Sequence, residues 1–530
     1  MTSSQHTDLS VLNCFPLKWV FVIGLFTILI LSATSNLCAK SSIQLGKRIY
    51  REGILPSGEP IRAKVAGDIL VEGTQFSCAT CHRRSGFGSS EETVYVPPVT
   101  GPLLYQDRQL RRVDMFRKLY QEVQPNRLRA RVRDGRMRPA YTDQTLAISI
   151  REGKDSTNHE LELLMPRYLL SDEDMGHLLA YLKSLSSAHA PGVTNSEIHF
   201  ATVVTEGADP GKRVAMRDVI DAYFRWKNTD TQARLQRPGY SPWYKDDFHG
   251  TYREWVLHVW ELKGPPKTWR DQLEKYYREQ PVFALLSGIG AGTWQPVHDF
   301  CEWAEVPCLF PNTDLPVVLR TSAYSLYFFK GLTVEAEALA RHLHNQSELV
   351  STTRIVQVYR DVESSYVPAR ALQRVLQDYG ITHVQDQLIE GTQALTSAFW
   401  ENLLKNGQPS ILVLWLEDDD LEALASVSGS IDGIQQIYFS YSRLKATLLS
   451  SLTNLRDKLY FTYPFALPGH EIPRMYRIRA WLRSRRVKRT HERIQFNTYF
   501  ALSIADHSLV HLVENFSRDY FIESIEHETE

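Results

Sequence analysis

The sequence Cys78-Ala79-Thr80-Cys81-His82 is the strongest indication of how the first part of the chain is built. Two thiols three positions apart, followed at once by a histidine, are typical of covalent haem attachment, in which the thiols add to two vinyl groups and the imidazole binds iron. A zinc site needs more Cys or His residues nearby, and a redox dithiol lies in a thioredoxin-like βαβ pattern. The flanking Gly, Arg and Ser residues favour neither. The motif therefore predicts one haem c bound by Cys78, Cys81 and His82.

An electron-carrying haem needs a second axial ligand, and the candidates downstream of the motif are Met115, Met137, Met165 and Met175. Met165 is favoured because it lies shortly before the sequence SDED at 171–174, a helix N-cap followed by acidic residues in the first turn. Met137, in the sequence DGRMRPAY, is an alternative, whereas Met175 falls inside the helix and is expected to pack there. We expect His82 and Met165 to bind the iron, a pair that raises the potential relative to two histidines.

Helical patterns flank the motif on both sides. The sequence Gly46-Lys47-Arg48-Ile49-Tyr50 opens one helix before it, and the helix predicted at 174–185 places four leucines on one face: Leu178, Leu179, Leu182 and Leu185. This order resembles class I cytochromes c, and the resemblance covers residues 41–189. It implies an all-α domain with the ligand methionine in a loop before the last helix. It also implies that a proline carbonyl holds the other ring nitrogen of His82, for which Pro97, Pro98 and Pro102 remain open.

The long apolar run WVFVIGLFTILIL, at 19–31, lies near the amino terminus. It has the length of a signal-peptide core and is short for a membrane span. Ala33-Thr34-Ser35 has the small-x-small form of a cleavage site, whereas the weakly basic segment before the run favours an uncleaved anchor. Lipidation of Cys38 is disfavoured because Leu37 is too large for the preceding position. Residues 1–37 are therefore interpreted as a signal peptide or an N-terminal membrane anchor, and both readings place the rest in the periplasm.

The composition limits the classes of function. The chain has 530 residues, of which 43% are hydrophobic and 23% charged, which excludes a polytopic membrane protein, a fibrous repeat and a mainly disordered chain. The 60 basic and 61 acidic residues leave a net charge of -1, so no nucleic-acid partner is expected. Six cysteines are too few for a disulfide scaffold of this length.

A basic insertion separates the haem motif from Met165. It contains the sequences RQLRRVDMFRKLY and NRLRARVRDGRMR. One interpretation is a solvated helical insertion. The other is a docking surface for an acidic periplasmic redox partner, or a cover for the haem propionates.

The pattern changes after residues 190–198, which are predicted to be a linker. From residue 199 to 530, short apolar runs alternate with amphipathic stretches, which predicts parallel sheets covered by helices. The predicted strands are 199–204, 255–260, 282–286, 306–310, 354–359, 383–388, 411–416 and 436–439. The predicted helices are 213–226, 269–280, 295–303, 334–344, 366–379 and 421–427.

The order of landmarks in this region carries a second resemblance. The Gly-rich turn in ALLSGIGAGTW is followed by EVPCLFPNTDLP, then by Arg320-Thr321 before a helix, then by TRIVQVYRDVESSYVPARALQRVLQDYG. This order resembles type I periplasmic binding proteins of the branched-chain amino-acid receptor family, which deliver solutes to ABC transporters. The resemblance implies two α/β lobes with a small-molecule ligand in the cleft between them.

Cleft residues are predicted from position, because ligands bind outside the carboxyl ends of strands in such sheets. The candidates are Gly292, Thr293, Asn312, Thr313, Asp361 and Tyr366. Gly292 and Thr293 begin a helix, whose free N–H groups suit an anion or a carbonyl. For each candidate the alternative is a capping or turn residue. The Ser/Thr-rich loop that holds an amino acid in this family is replaced by Pro311-Asn312-Thr313-Asp314, which argues against an amino-acid ligand.

Two further features leave alternatives open. Cys301 and Cys308 are either a disulfide or two small buried residues. The basic run 474–493 is either a helix packed through its apolar residues or a surface for anionic lipid or an acidic partner.

These patterns predict an exported monohaem c-type cytochrome that transfers single electrons and is fused to a solute-binding domain that recruits or senses a small molecule. The alternative is a periplasmic solute-binding or sensor protein of the ABC-transporter type, in which the haem is accessory. The sequence has no paired carboxylates, nucleophile motif or phosphate loop, so an enzyme is not expected.

Overall fold

The computed structural model describes residues 41–66, 68–91, 94–107, 138–186, 188–236, 253–319, 322–391, 395–404, 410–425, 433–443, 452–464, 473–512 and 515–529. The leader 1–37, Met115, Met137 and most of the basic insertion lie outside these residues. The chain divides into two compact units, Met1–His189 and Ala190–Glu530. Among the described residues, no helix is both long enough and apolar enough to cross a membrane.

The amino-terminal unit mixes helices with short strands. In chain order it contains helix α1 (41–52), strands β1 (Arg62–Val65) and β2 (Ile69–Glu72), helix α2 (Cys78–His82), strands β3 (Ser89–Glu91) and β4 (Val94–Val96), helices α3 (Gly101–Leu104) and α4 (Asp143–Glu152), strand β5 (Arg167–Tyr168) and helix α5 (Asp172–Ser184).

Helices α1 and α5 approach each other closely. A Cβ atom at Gly46 would lie 1.9 Å from the carbonyl oxygen of His177 and 2.8 Å from Cβ of Tyr181, so only glycine fits at this position. The rings of Tyr50 and Tyr181 lie 5.4 Å apart. Helix α5 starts at the predicted N-cap, because Ser171 Oγ accepts a hydrogen bond from the N–H of Asp174. The four leucines predicted to share one face are all buried.

The prediction that this unit is all-α is wrong. Strands β2, β1 and β5 form an antiparallel sheet in that order, and β3 and β4 form a hairpin. The strands are two to four residues long, and β1 buries Ala63 while its other residues are more exposed. Because alternation needs several residues to be seen, such short strands leave almost no signal in the sequence.

The predicted linker 190–198 belongs instead to the second unit. The N–H of Ala190 donates to the carbonyl oxygen of Phe516 at 2.8 Å, and the first strand already begins at Glu197. A Cβ at Gly192 would lie 2.3 Å from the backbone nitrogen of Phe283. The polar and Pro/Gly-rich composition of the stretch thus reflects a tight packed turn rather than a free connection.

The second unit holds two α/β lobes. The first lobe contains strands β6 (Glu197–Thr205), β7 (Glu254–Leu262), β8 (Ala284–Leu286), β9 (Cys308–Leu309) and β10 (Ser325–Leu326), with helices α6 (Pro210–Gln236), α7 (Trp269–Glu279) and α8 (Gln295–Ala304). The second lobe contains helices α9 (Leu332–Asn345) and α10 (Ser347–Thr352), strand β11 (Arg354–Arg360), helix α11 (Glu363–Asp378), strand β12 (Val384–Ile389), helix α12 (Ser397–Leu404), strand β13 (Ser410–Trp415), helix α13 (Asp418–Ala425) and strands β14 (Ile434–Ser440) and β15 (Leu459–Thr462). Helices α14 (Pro473–Ser484), α15 (Glu492–Leu512) and α16 (Arg518–Thr529) follow.

Both sheets are parallel and share one topology. The strand order is β7-β6-β8-β9-β10 in the first lobe and β12-β11-β13-β14-β15 in the second. In each lobe the second strand of the chain lies at one edge, next to the first strand, and the third strand lies on the other side of the first. The order therefore reverses between β6 and β8, and again between β11 and β13, which are the positions where open α/β sheets bind ligands.

Helices cover both faces of each sheet. Phe200 and Val204 of β6 join the core formed with α6, α15 and α16, whereas Ala201 and Val203 face the core formed with α7 and α8. All six residues of β13 are buried, as expected for a central strand of a parallel sheet. The two-lobed α/β arrangement predicted for the carboxyl-terminal region is confirmed.

The basic run 474–493 forms α14 and the start of α15. Leu482 is fully buried in the first-lobe core, and Ile478 and Val487 pack against the same core. Arg479 pairs with Glu492 at 2.9 Å. The packed-helix interpretation of this run therefore accounts for Ile478, Leu482 and Val487.

Candidate haem site and ligand cleft

The attachment motif is a single helical turn. Cys78 and Cys81 are three positions apart in α2, so their side chains lie on the same side of the turn. Both are free thiols; Cys78 is half-buried and Cys81 is exposed. Burial is the main reason why the pKa of Cys78 is raised to about 12, although a hydrogen bond with Tyr168 opposes it. Tyr168 is itself fixed, because its hydroxyl donates to the carbonyl oxygen of Phe76 at 2.8 Å.

The imidazole of His82 is oriented by one hydrogen bond. Its Nδ1 lies 2.9 Å from the carbonyl oxygen of Pro97, and since a carbonyl can only accept, Nδ1 carries the proton. This tautomer leaves a lone pair on Nε2, which is the atom that binds a metal. Burial lowers the pKa of His82, and the hydrogen bond to Pro97 opposes this change. Of the three prolines left open by the sequence, the structure selects Pro97.

Two glycines bring Pro97 to this position. The N–H of Gly88 donates to the carbonyl oxygen of His82 at 3.1 Å, and the N–H of Val99 donates to the carbonyl oxygen of Gly86 at 2.7 Å. Gly88 has a φ of +76°, and a Cβ there would lie 2.2 Å from the carbonyl oxygen of Val96. The chain after the motif can therefore fold back against it only with glycine at 88.

Met165 lies in a turn that is tied down by Arg167. The N–H of Met165 donates to the carbonyl oxygen of Glu162 at 3.1 Å, and the guanidinium of Arg167 donates to the carbonyl oxygens of Met165 and Leu161. Met165 is half-buried, whereas Met175 is 3% exposed in the helical core. Met175 therefore packs as predicted, and Met165 stays the predicted second ligand.

The motif residues meet the requirements of covalent haem attachment, because two thiols lie on one helical turn and the Nδ1 proton of His82 is engaged by Pro97, which leaves Nε2 available. The role of Met165 as the second ligand stays a prediction.

The first-lobe cleft candidates lie in two adjacent loops. Gly290, in the loop after β8, donates its N–H to the carbonyl oxygen of Asn312, in the loop after β9, at 3.2 Å. Gly292 is exposed, but Thr293 Oγ1 accepts from the N–H of Gln295 at 3.2 Å. Thr293 thus stabilises the turn just before α8, whose N-cap residue is Trp294.

Asn312 and Thr313 have structural partners. The side-chain amide of Asn312 donates to Ser287 Oγ at 3.1 Å and its Oδ1 accepts from Asn497 at 3.2 Å. Thr313 Oγ1 accepts from the N–H of Leu315 at 3.1 Å. Asn312 is 8% exposed, so it joins the two loops and α15 rather than facing solvent.

The remaining candidates lie at the carboxyl edge of the second sheet. Asp361 directly follows β11 and is exposed. Tyr366 lies in α11, half-buried, with the Arg370 guanidinium 5.1 Å from its ring centre. Of these two, Asp361 is at the position where the strand order reverses.

An ion pair at this same position was missed by the sequence reasoning. Arg360, at the end of β11, binds Asp420 of α13 through two nitrogens, with Nε 2.9 Å from Oδ2 and Nη2 2.5 Å from Oδ1. Arg360 also donates to the carbonyl oxygen of Gly391, after β12, at 2.8 Å. Arg443, after β14, binds Glu417, after β13, at 3.1 Å. The only sequence signal is the acidic stretch EDDD that follows β13.

Cys301 and Cys308 are free thiols in contact in the first-lobe core. Burial and the neighbouring thiol raise the pKa of Cys301 well above its usual range. Of the two alternatives that the sequence left open, a disulfide or two small buried residues, the structure shows the second.

Comparison with solved structures finds similar chains of low identity. A fatty acid ABC transporter substrate-binding protein from Thermomonospora curvata is 16% identical, with a TM-score of 0.46, over 64% of this chain and 82% of that one. A possible leucine/isoleucine/valine-binding protein from Rhodopirellula baltica is 13% identical, with a TM-score of 0.46, over 64% and 88%. A branched chain amino acid ABC transporter from Thermus thermophilus with bound valine is 9% identical, with a TM-score of 0.44, over 63% and 83%. No family model matches the chain, and no curated protein matches it.

Proposed function

We propose that the chain is an exported monohaem c-type cytochrome that transfers single electrons, joined to a solute-binding unit in the periplasm. The observation that carries the proposal is the hydrogen bond from His82 Nδ1 to the carbonyl oxygen of Pro97, which fixes the ring in the tautomer that an iron ligand needs. When bound, the haem supplies a one-electron couple.

The chain's own residues hold this group and set its surroundings. Cys78 and Cys81 would hold it covalently, and His82 would supply an imidazole nitrogen to the iron. Met165, in the loop fixed by Arg167, would supply a thioether, and a His/Met ligand pair would raise the potential relative to two histidines. The partner that exchanges electrons is proposed to be a periplasmic protein, and the segment 1–37 is proposed to direct export or to anchor the chain.

The solute-binding role of the second unit rests on its topology. Two parallel sheets of the same strand order each have a reversal point, and polar groups lie at the carboxyl edge of both. In the first lobe the N–H of Ala291 donates to Thr205 Oγ1 across the β6/β8 reversal, at 2.9 Å. In the second lobe the Arg360–Asp420 pair joins the end of β11 to α13, the helix that follows β13. We propose that a small polar solute binds at these edges, outside the strand ends.

The second candidate function is a periplasmic solute-binding or sensor protein of the ABC-transporter type, in which the haem is accessory. The presence of two complete five-stranded lobes favours it. The solved structures named above are described as substrate-binding or transporter proteins, and none of those descriptions mentions a haem. No enzymatic activity is proposed under either reading.

Two measurements separate these functions. A spectroelectrochemical titration of the purified haem-loaded protein should give a reversible one-electron curve, and no reversible reduction would rule out the first proposal. A thermal-shift screen against small solutes, followed by tryptophan fluorescence, reports on the second unit, because every tryptophan except Trp19 lies there. A solute at 100 times its Kd should stabilise that unit by about 2.7 kcal/mol.

The screen also decides between the two candidates. A solute that stabilises the second unit and shifts the haem potential indicates an electron-transfer protein under solute control. A solute that stabilises the unit and leaves the potential unchanged favours the accessory-haem reading. If no solute in a broad panel stabilises the second unit, the result argues against solute binding under both candidate functions.

A further inference from the structure

The last two helices bring together three metal-ligating side chains. His507 and His511 are four residues apart on α15, and Glu528 lies on α16. Nε2 of His507 is 3.5 Å from one carboxylate oxygen of Glu528, and Nε2 of His511 is 3.4 Å from the other. The two imidazole centres lie 5.4 Å apart.

This arrangement has the geometry of a chelate. Residues four apart on a helix project from the same face, so the two histidines can bind one ion together. The ligand atoms of all three residues lie within 4.8 Å of one another, and all three residues are exposed, so an ion has free access. Each imidazole Nε2 faces one carboxylate oxygen of Glu528, and a metal cation bound between this nitrogen and this oxygen would make the contact favourable.

We propose that His507, His511 and Glu528 bind one divalent transition-metal ion. Two imidazole nitrogens and one carboxylate oxygen suit Zn²⁺, Cu²⁺ or Ni²⁺, whereas Ca²⁺ and Mg²⁺ prefer sets of oxygen ligands. Three protein ligands leave a coordination position for water or for a group from a partner, as in open zinc sites.

The proposed ion would join helices α15 and α16. Helix α15 contributes Ala501, Leu502 and Leu509 to the first-lobe core, and α16 contributes Phe521 and Ile525. A metal bound between them is therefore a cross-link on the solvent side of two helices whose other faces are already packed. None of its ligands belongs to the haem site or to the strand edges of the solute cleft, so the proposal is independent of the proposed function.

The test is calorimetric titration of the full-length, haem-loaded protein with zinc chloride after treatment with a chelator. The haem-loaded form is used because the free thiols of Cys78 and Cys81 would themselves bind zinc. Wild type is expected to bind one high-affinity equivalent. Removing a group that only orients a metal ligand lowers metal affinity by about 10–100-fold. His511→Gln removes a proposed ligand itself, so it should weaken zinc binding at least about tenfold. Glu528→Gln should also weaken zinc binding measurably.

The matched control is His527→Gln, which removes an exposed histidine adjacent to Glu528. It should bind zinc as wild type does. Tryptophan fluorescence of each variant confirms that the second unit is folded. The proposal is overturned if wild type binds no zinc, if His511→Gln binds as tightly as wild type, or if His527→Gln loses affinity to the same extent as His511→Gln.

Discussion

Replacing Gly88 by alanine should loosen the hairpin that holds Pro97 against His82. The alanine Cβ would lie 2.2 Å from the carbonyl oxygen of Val96 and 3.1 Å from that of Pro97. Both atoms belong to the backbone, so the clash is relieved only if the β4 side of the hairpin moves. Because Pro97 accepts the hydrogen bond from His82, that movement weakens the contact that orients the imidazole proposed to bind the haem iron.

The magnitude follows from two contributions. A residue with a Cβ at positive φ costs about 1–2 kcal/mol, and overpacking against fixed neighbours costs about 1–3 kcal/mol more. Gly58 provides the matched control, because it has a φ of +92° with nothing within 4 Å of the added Cβ. Gly58→Ala should therefore lose about 1–2 kcal/mol of unfolding free energy, whereas Gly88→Ala should lose about 2–5 kcal/mol.

The assay is denaturant unfolding of the haem-loaded protein followed by the haem absorption band, which reports on the first unit. Gly88→Ala should also alter the optical spectrum of the oxidised haem, whereas Gly58→Ala should not. If the two variants have the same stability and the same spectrum, the hairpin does not hold Pro97 in place and the reasoning is refuted.

Three further predictions concern other parts of the molecule. Met165→Ala should abolish the weak far-red band of a Met–Fe(III) bond and lower the potential, while Met175→Leu should keep both; persistence of the band in Met165→Ala would contradict the ligand assignment. His298 is 1% exposed and burial lowers its pKa, so the folded state favours the neutral ring and the second unit should lose stability as pH falls below about 6.5. His298→Gln should flatten this loss in fluorescence-monitored unfolding between about pH 7.5 and 5.5, and an unchanged slope would show that another group is responsible. Asp420→Asn should destabilise the second unit by about 2–4 kcal/mol in the same assay, because it removes the negative charge that the largely buried Arg360 binds through two nitrogens; a change below about 0.5 kcal/mol would show that the pair is not structural.

The local geometry of the Cys-x-x-Cys-His motif could be predicted from the sequence because its residues are close together in the chain. The spacing of Cys78, Cys81 and His82 alone places both thiols on one turn with the imidazole beside them. The partner of His82 could not be read in this way. That partner depends on how the chain folds between Gly86 and Pro97. The positive φ of Gly88 and its close approach to the backbone of Val96 place Pro97, and not Pro98 or Pro102, beside His82.

Parallel strands were predicted well where they are central and long. The run Ile411–Trp415 is apolar throughout because both faces of β13 are covered by helices. The strands β10 and β15 were missed because they are only two and four residues long, and β15 exposes Tyr460 and Phe461. Such short strands leave too few positions for an apolar pattern to be recognised.

Contacts between distant segments account for the remaining differences. Arg360 and Asp420 are 60 residues apart, and only the sheet order brings the end of β11 and the start of α13 together. Similarly, the sequence shows His507 and His511 at helical spacing, but Glu528 joins them only because α15 and α16 pack side by side. The candidate residues Asn312 and Thr313 follow the end of β9, and Thr293 lies just before α8. Their hydrogen bonds serve the loops themselves.

The most direct measurement of the central claim is the covalent haem content of the full chain exported together with a haem-attachment system. The account predicts one haem per chain that stays with the polypeptide after denaturation and acid extraction, and none on a Cys78→Ser/Cys81→Ser double variant that is exported equally well. A wild-type chain that is exported and folded but carries no covalent haem, or a double variant that retains it, would contradict the account.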